Sequence, residues 1–569
     1  MTDAPRPKVR IAHLSGPTAT IQNTPPLVTS NKARRKHGLA ERTDASGDPL
    51  RFDALRAQRL AAPATVYVEQ FSAHPLEHEA AHLYGPPDGY IGTDGVFRAE
   101  AVAESDTPVY EVELRPDDGL YPLPYMAVQA DGSPWEDEMA VPNGTEVQAR
   151  QGFFPDGSRS FEEIDRLGIE HDGTASALSS RAVVDFYRVA PPAGYRLGLA
   201  AEMRTDVGEG DIAPETRGVD FNGYKPVALA SAPARPALAK ITNDTQAIAS
   251  SGRYDGLIWT QGSPQVEETA YWLSLLIDTT LPICGNAAQR PQGMISNDGP
   301  KNIVDSVALI ESGRWKDDEG RNRLGAVVVE EQQYFAAREV YKSDARPGNY
   351  RATGGHGGIL GQTSHTGAIS LMYLPAYKHT FRSEVNLTRL PETVDAVMLV
   401  DGALVRVPVR IKDGEGRLTV DAIPSVSIVK EGGYFDEEHG LGPDDLPVLQ
   451  AVVDHKLGLG RLSGIVTEGL VPYGRFPSRA SEALLQRAVF SGIPVVRVGR
   501  GTPEGFADPS PFAVAGSNLT AIKARLLLMA SLMKLGSLPI AADPAAPTPA
   551  EREATAAAVA RYQELFLTH

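Results

Sequence analysis

Three short apolar runs constrain this chain more than any other feature. Tyr254-Asp-Gly-Leu-Ile-Trp-Thr, Leu281-Pro-Ile-Cys-Gly and Gly325-Ala-Val-Val-Val-Glu are each strand-length. Residues 266–276 and 300–311, which separate them, carry helical spacing. Strands alternating with helices predict βαβ units and a parallel sheet. Residues 7–14 form a further strand, running straight into a loop of small and hydroxylated residues, Ser15-Gly16-Pro17-Thr18-Ala19-Thr20. Open α/β sheets place their chemistry at such strand ends. The pattern returns further on. Residues 394–411 are strand-rich, and Gly464-Ile-Val-Thr and Ile493-Pro-Val-Val-Arg-Val read as strands flanked by helices over 481–490 and 520–535.

Between these parts, residues 34–220 are rich in Pro, Gly, Asp and Tyr, with short alternating runs broken by turn signals such as Pro116-Asp-Asp-Gly and Phe154-Pro-Asp-Gly. They read as a β-rich insertion. The expected organisation is a discontinuous first domain over 1–33 and 221–385, the insertion over 34–220, and a second domain over 390–540. A linker and terminal helix over 541–569 complete it. At 569 residues, one hydrophobic core is too few.

Charge and cysteine content exclude several classes. With 55 basic and 72 acidic residues, a net charge of −17 argues against binding nucleic acid or an anionic membrane surface. No run approaches a membrane-spanning length, and 1–10 lacks the apolar core of a secretory signal, so the cytoplasm is the expected compartment. Cys284 is the only cysteine, which rules out an intrachain disulfide or a cysteine-based zinc cluster.

Three ordered blocks are more specific. They are Trp259-Thr-Gln-Gly-Ser263-Pro-Gln-Val-Glu-Glu-Thr-Ala-Tyr-Trp-Leu273, Gln289-Arg-Pro-Gln-Gly-Met-Ile-Ser296-Asn-Asp298-Gly-Pro-Lys-Asn302, and Ala336-Ala-Arg338-Glu-Val-Tyr-Lys342. Together they resemble the L-asparaginase/glutaminase family of amidohydrolases with a threonine nucleophile. Ala515-Gly-Ser-Asn-Leu-Thr-Ala-Ile-Lys-Ala-Arg525 is similar to part of that family's second domain. The resemblance implies two α/β domains and amide hydrolysis through a threonyl ester, with neither metal nor cofactor. It also implies a homodimer or homotetramer whose site is completed by a partner subunit, and a small-molecule amide as substrate.

The resemblance carries over residue by residue. The family's nucleophile block is matched best by Thr18-Ala19-Thr20-Ile21-Gln22-Asn23-Thr24-Pro25. The Thr-Ile pair and the following Asn-Thr-Pro favour Thr20, while the frame Ser15-Gly16-Pro17-Thr18 selects Thr18. Neither frame has the family's paired glycines. The supporting threonine maps to Ser263, after Gly262, and the lysine to Lys342. The family aspartate, which pairs with the lysine and holds the substrate's α-ammonium, maps to Pro264. Proline does neither job, although Gln265 offers a neutral amide. Of the family's substrate-binding Ser-Gln/Glu-Asp stretch, only Ser231 carries over. The substrate expected from this pattern is an amide, imide or lactam without a free amino-acid head.

Other residues have plainer readings. Asp298 suits a turn and helix cap, Arg338 a structural ion pair, Arg290-Pro291 a loop anchor, and Gly354-Gly-His-Gly-Gly a structural loop. His78-Glu79-Ala80-Ala81-His82 is a literal zinc-hydrolase motif without an evident third ligand, so a zinc hydrolase is one rival reading. A catalytically dead ligand-binding protein is another, and an L-asparaginase or glutaminase proper is a third.

Overall fold

A computed structural model describes residues 8–16, 27–29, 47, 54–56, 64–68, 86–91, 97–114, 178, 181–188, 234–290, 296, 298–353, 355–431, 447–471, 474–500 and 510–569. The chain opens with β1 (Val9–Ser15). Two small antiparallel pairings follow. β2 (Leu27–Thr29) pairs with β3 (Ala54–Arg56), and β4 (Ala64–Val68), β5 (Gly89–Ile91), β6 (Phe97–Arg98) and β7 (Thr107–Leu114) form a sheet in the order β4-β7-β5-β6. Then come β8 (Ala182–Arg188), α1 (Ala234–Ala249), β9 (Gly256–Thr260), α2 (Gln265–Leu276), β10 (Ile283–Asn286), α3 (Gly299–Ser312), β11 (Ala326–Glu330) and β12 (Gln333–Ala336). The hairpin β13 (Val340–Lys342) and β14 (Tyr350–Ala352) leads to β15 (Ile359–Thr363) and β16 (Ile369–Leu371).

The main sheet has eight strands in the order β16-β15-β12-β11-β10-β9-β1-β8. β8, β1, β9, β10 and β11 run parallel, and the other three are antiparallel. β8 comes from within 34–220 yet is hydrogen-bonded along its whole length to β1. The architecture is therefore α/β, with a predominantly parallel sheet flanked by helices.

The continuous apolar runs have a direct cause. Side chains alternate between the two faces of a strand, and here both faces are covered. On β11, Ala326 and Val328 enter one core, and Val327 and Val329 the other. On β9, Leu257 and Trp259 face the first core and Ile258 the second. Residues of α3 fill the second core, and Gly313 ends that helix in the left-handed conformation at φ 64°.

The second unit follows the hairpin β17 (Thr393–Val400) and β18 (Ala403–Arg410). Its parallel sheet is β19 (Ser425–Lys430), β20 (Ser463–Gly469), β21 (Val495–Gly499) and β22 (Val514–Ala515), in that order. Helices α4 (Pro447–Gly458), α5 (Arg479–Phe490), α6 (Ala521–Leu535) and α7 (Pro549–Thr568) accompany it. Thr548 and Glu551 form a capping box at the start of α7. Helix α6 packs on both β20 and α2, so one apolar cluster runs from the first sheet into the second unit. No described helix is long and apolar enough to cross a membrane.

Leu528 of α6 is fully buried under Gly464, where a Cβ would lie 2.8 Å from the leucine Cδ2. Leu528→Ala is expected to lower the unfolding free energy by about 2–5 kcal/mol, read by urea denaturation. Leu567→Ala, at a side chain 61% exposed, should change it by no more than ~0.5 kcal/mol.

Candidate active site

The carboxyl ends of β1, β9 and β10 lie side by side, which is where ligands bind in open α/β sheets. The ladder continues past the strands: Gly16 N donates to Thr260 O (2.8 Å) and Gln261 N to Asn286 O (3.0 Å). Gly16 has to be glycine, because a Cβ there would lie 2.7 Å from the ring of the fully buried Trp259. That ring is fixed by Nε1 donating to Gln261 Oε1 at 2.8 Å. Beneath this edge, His13 bonds through Nε2 to Thr260 Oγ1 (2.9 Å), and burial pushes its pKa down to about 3, so the imidazole is neutral. Thr18, Thr20 and Ser231 lie outside the described residues, as do His78 and His82.

Ser263 and Lys342 reach one place from different elements. Ser263 precedes Pro264, the N-cap of α2, and the bond between them is cis. Ser263 Oγ shares a 2.7 Å hydrogen bond with the Tyr350 hydroxyl, a partner that sequence reasoning missed. Tyr350 stands opposite Lys342 in the β13–β14 hairpin. Burial pushes its phenol pKa upward, which keeps it protonated and able to donate. The Asp344-Ala-Arg-Pro-Gly-Asn349 turn was the available signal, since such residues between two short strands mark a hairpin.

The Lys342 ammonium does not hydrogen-bond to Ser263. It donates to Gln289 Oε1 (2.6 Å), Arg346 O (2.6 Å) and Gly348 O, and lies 5.5 Å from the Tyr350 ring centroid. All three acceptors are neutral oxygens. Of the other expected ligand-binding residues, Gly262 is half-buried and its carbonyl accepts from Val266 N at 3.2 Å. Pro264 and Gln265 are exposed at the start of α2.

A carboxyl pair lies behind this cluster. Asp298 occupies the N-cap position of α3 but makes no side-chain cap bond. Its carboxylate instead accepts from Gln289 N (3.0 Å) and Arg290 N (2.7 Å), which fixes the loop that carries the lysine's partner Gln289. Glu330 is almost fully buried and accepts from Asn302 Nδ2 at 2.9 Å. Burial and the adjacent Asp298 carboxylate push the Glu330 pKa up to about 10, so it is a neutral acid at pH 7.

The lysine's backbone is tied to the second unit. Lys342 N donates to Glu267 Oε2 at 2.6 Å. The buried Lys523 of α6 donates to the carbonyl oxygens of Glu267 and Ala337, and Arg525 pairs with Glu268 at 3.0 Å. Arg338 lies in the same seam. Its Nε donates to His569 O and its Nη1 to Asn518 Oδ1, both at 2.6 Å, and its guanidinium stacks on Tyr377. Its ion pair with Glu339 is long, at 3.9 Å, so neutral oxygens and an aromatic face hold Arg338 more closely than a carboxylate does. Arg290 anchors its loop through Nε to Ser296 O at 2.6 Å. Gly355–Gly358 form a 3₁₀ turn leading into β15. Cys284 is buried and its thiol pKa pushed up to about 12 by that burial, which leaves it unreactive. Among the described residues, no cluster of His, Cys, Asp and Glu could hold a metal ion.

The Glu330 shift has a consequence for stability. The folded state keeps a proton that the unfolded chain releases near pH 4.5, so stability is full below that pH and lost as pH rises towards 10. Glu330→Gln keeps an acceptor for Asn302 and removes the titration. Between pH 6 and 9 it should flatten the fall in unfolding free energy by up to about 1.4 kcal/mol per pH unit, measured by urea denaturation at each pH.

Residues 214–350 match the family model described as the N-terminal domain of asparaginase. A glutaminase-asparaginase from Acinetobacter glutaminasificans is 31% identical over 167 residues, covering 29% of this chain and 47% of that protein. L-asparaginase 2 from Escherichia coli (strain K12) is 31% identical over 144 residues, covering 24% of this chain and 37% of that protein. The chain thus spans about half or less of the length of these relatives. A crystal structure of a probable cytoplasmic L-asparaginase from Campylobacter jejuni aligns with a TM-score of 0.43 at 20% identity, over 68% of this chain and 86% of that one. The matched segment runs from before α1 through the Ser263–Tyr350–Lys342 cluster, so this part of the chain is similar to the N-terminal domain of asparaginases.

Proposed function

We propose that the protein is an amidohydrolase that cleaves a C–N amide bond through a threonine nucleophile, on an amide, imide or lactam without a free amino-acid head. The observation that carries this reading is the charge balance around Lys342. Among the described residues its ammonium hydrogen-bonds to neutral oxygens alone, Pro264 supplies no carboxylate, and Glu330 is a neutral acid. The Glu267 carboxylate accepts from the Lys342 backbone N–H, and burial raises its pKa against the opposing pull of the lysine charges. A substrate ammonium entering here meets a like charge with nothing to hold it, whereas a neutral or anionic amide does not.

In this reading Thr20, with Thr18 as the alternative, attacks the amide carbonyl. The C–N bond breaks as a C–O ester bond forms, and the threonine proton passes to the departing nitrogen. Water then cleaves the ester, giving the acid and restoring the hydroxyl. Ser263 and Lys342 assist proton transfer or position water, and the Tyr350 hydroxyl orients Ser263. By the same resemblance, the working assembly is a homodimer or homotetramer, which light scattering would test.

Intact-protein mass spectrometry after incubation with a reactive lactam is expected to show an adduct on wild type and Thr18→Ala but none on Thr20→Ala. Lys342→Met should lower turnover of a neutral primary amide by about 10²–10⁴-fold. Efficient hydrolysis of free L-asparagine by wild type would overturn the substrate assignment.

A second reading, a ligand-binding protein without turnover, is favoured by one observation. Lys342 is fully engaged by three oxygens, and Ser263 pairs with Tyr350 instead of with the lysine. Tight amide binding with no adduct and no product would support it.

A further inference from the structure

A cavity of ≈ 520 Å³ opens in the second unit between the start of α5 and β21. That volume is in the range of small-molecule sites, roughly 300–1,000 Å³. None of its lining residues belongs to the Ser263–Lys342 cluster. Phe476, Phe512 and Val495 supply apolar wall, and Arg475, Arg479 and Arg497 supply cations.

Glu482 is the one carboxylate among the described lining residues, and it is already engaged. One oxygen accepts from Phe476 N at 3.0 Å and the other from Arg497 Nη2. Arg475 and Arg479 form no ion pair with any described residue, so the lining carries two positive charges in excess. The Arg497 side chain is only 13% exposed, and its Nε–H has no hydrogen-bond partner among the described residues. Buried donors in folded proteins are nearly always satisfied, so this one calls for an acceptor. A planar carboxylate suits a guanidinium better than any neutral group, and the aromatic wall suits a flat apolar body. Inorganic phosphate satisfies the charges but leaves that wall uncovered.

We propose that this cavity binds a small aromatic carboxylate, with its carboxylate on the arginines and its ring against Phe476 and Phe512. The site is independent of the hydrolase reading. It is tested on the full chain by isothermal titration with benzoate, with the neutral acetophenone, and with inorganic phosphate. Benzoate is expected to bind one-to-one, at least about tenfold more tightly than either control, a margin of about 1.4 kcal/mol. The double substitution Arg475→Met/Arg479→Met should weaken benzoate at least about tenfold at an unchanged melting temperature, because both side chains are exposed. Ser263→Ala should bind benzoate like wild type. Absence of benzoate binding, equal binding of acetophenone or phosphate, undiminished affinity in the double variant, or loss of binding in Ser263→Ala would each overturn the proposal.

Discussion

The arrangement of the first unit's chemistry depends on a buried ammonium from the second. Lys523 leaves α6 and donates to the carbonyl oxygens of Glu267 and Ala337, with the Tyr271 ring 5.3 Å away. Burial lowers its pKa, while the charges of Glu267 and Glu268 oppose that shift. Glu267 in turn holds the backbone of Lys342. One charge thus fixes α2, the end of β12 and the lysine strand relative to one another. Removing the ammonium leaves two buried carbonyl oxygens without their donor, at a cost of about 1–3 kcal/mol. The two units therefore form one structural object at this seam, with Arg338 and Arg525 reinforcing it on either side.

The parts of the fold legible in the sequence are those where local pattern and tertiary environment agree. β9, β10 and β11 are buried on both faces and read as continuous apolar runs, and α2, α3, α5, α6 and α7 fall within a few residues of their expected spans. β8 was not legible as part of the main sheet. Its Ala-Val-Val-Asp-Phe-Tyr-Arg sits in a Pro- and Gly-rich stretch, and nothing local reveals a parallel partner at the start of the chain. Helix α1 follows an Ala/Pro-rich run that obscures its start, and α4 was missed as well.

The candidate site was legible in its identities more than in its bonds. Ser263 and Lys342 were found from motif order, and both lie against Tyr350. Which acceptor Lys342 chooses depends on the turn at 344–349, which folds two carbonyl oxygens back over the ammonium. Asp298 shows the same limit. Its type and position suit a cap, yet its carboxylate is drawn to the nearer backbone amides of Gln289 and Arg290. Charge, burial and backbone supply decide such choices, and a linear motif records none of them.

The position of β8 also bears on how the chain tolerates so long an interruption. β1 and β8 are parallel neighbours, so residues 16–181 form a single crossover connection between adjacent strands. A parallel pair needs a crossover of about a dozen residues or more. For a flexible chain, closing a loop costs only about 0.6 kcal/mol more with each doubling of its length. Lengthening a minimal crossover to this size therefore adds on the order of 2 kcal/mol of closure entropy. The sheet accommodates the whole excursion without loss of register, and the added closure entropy is no larger than the cost of a single leucine-to-alanine truncation in its core.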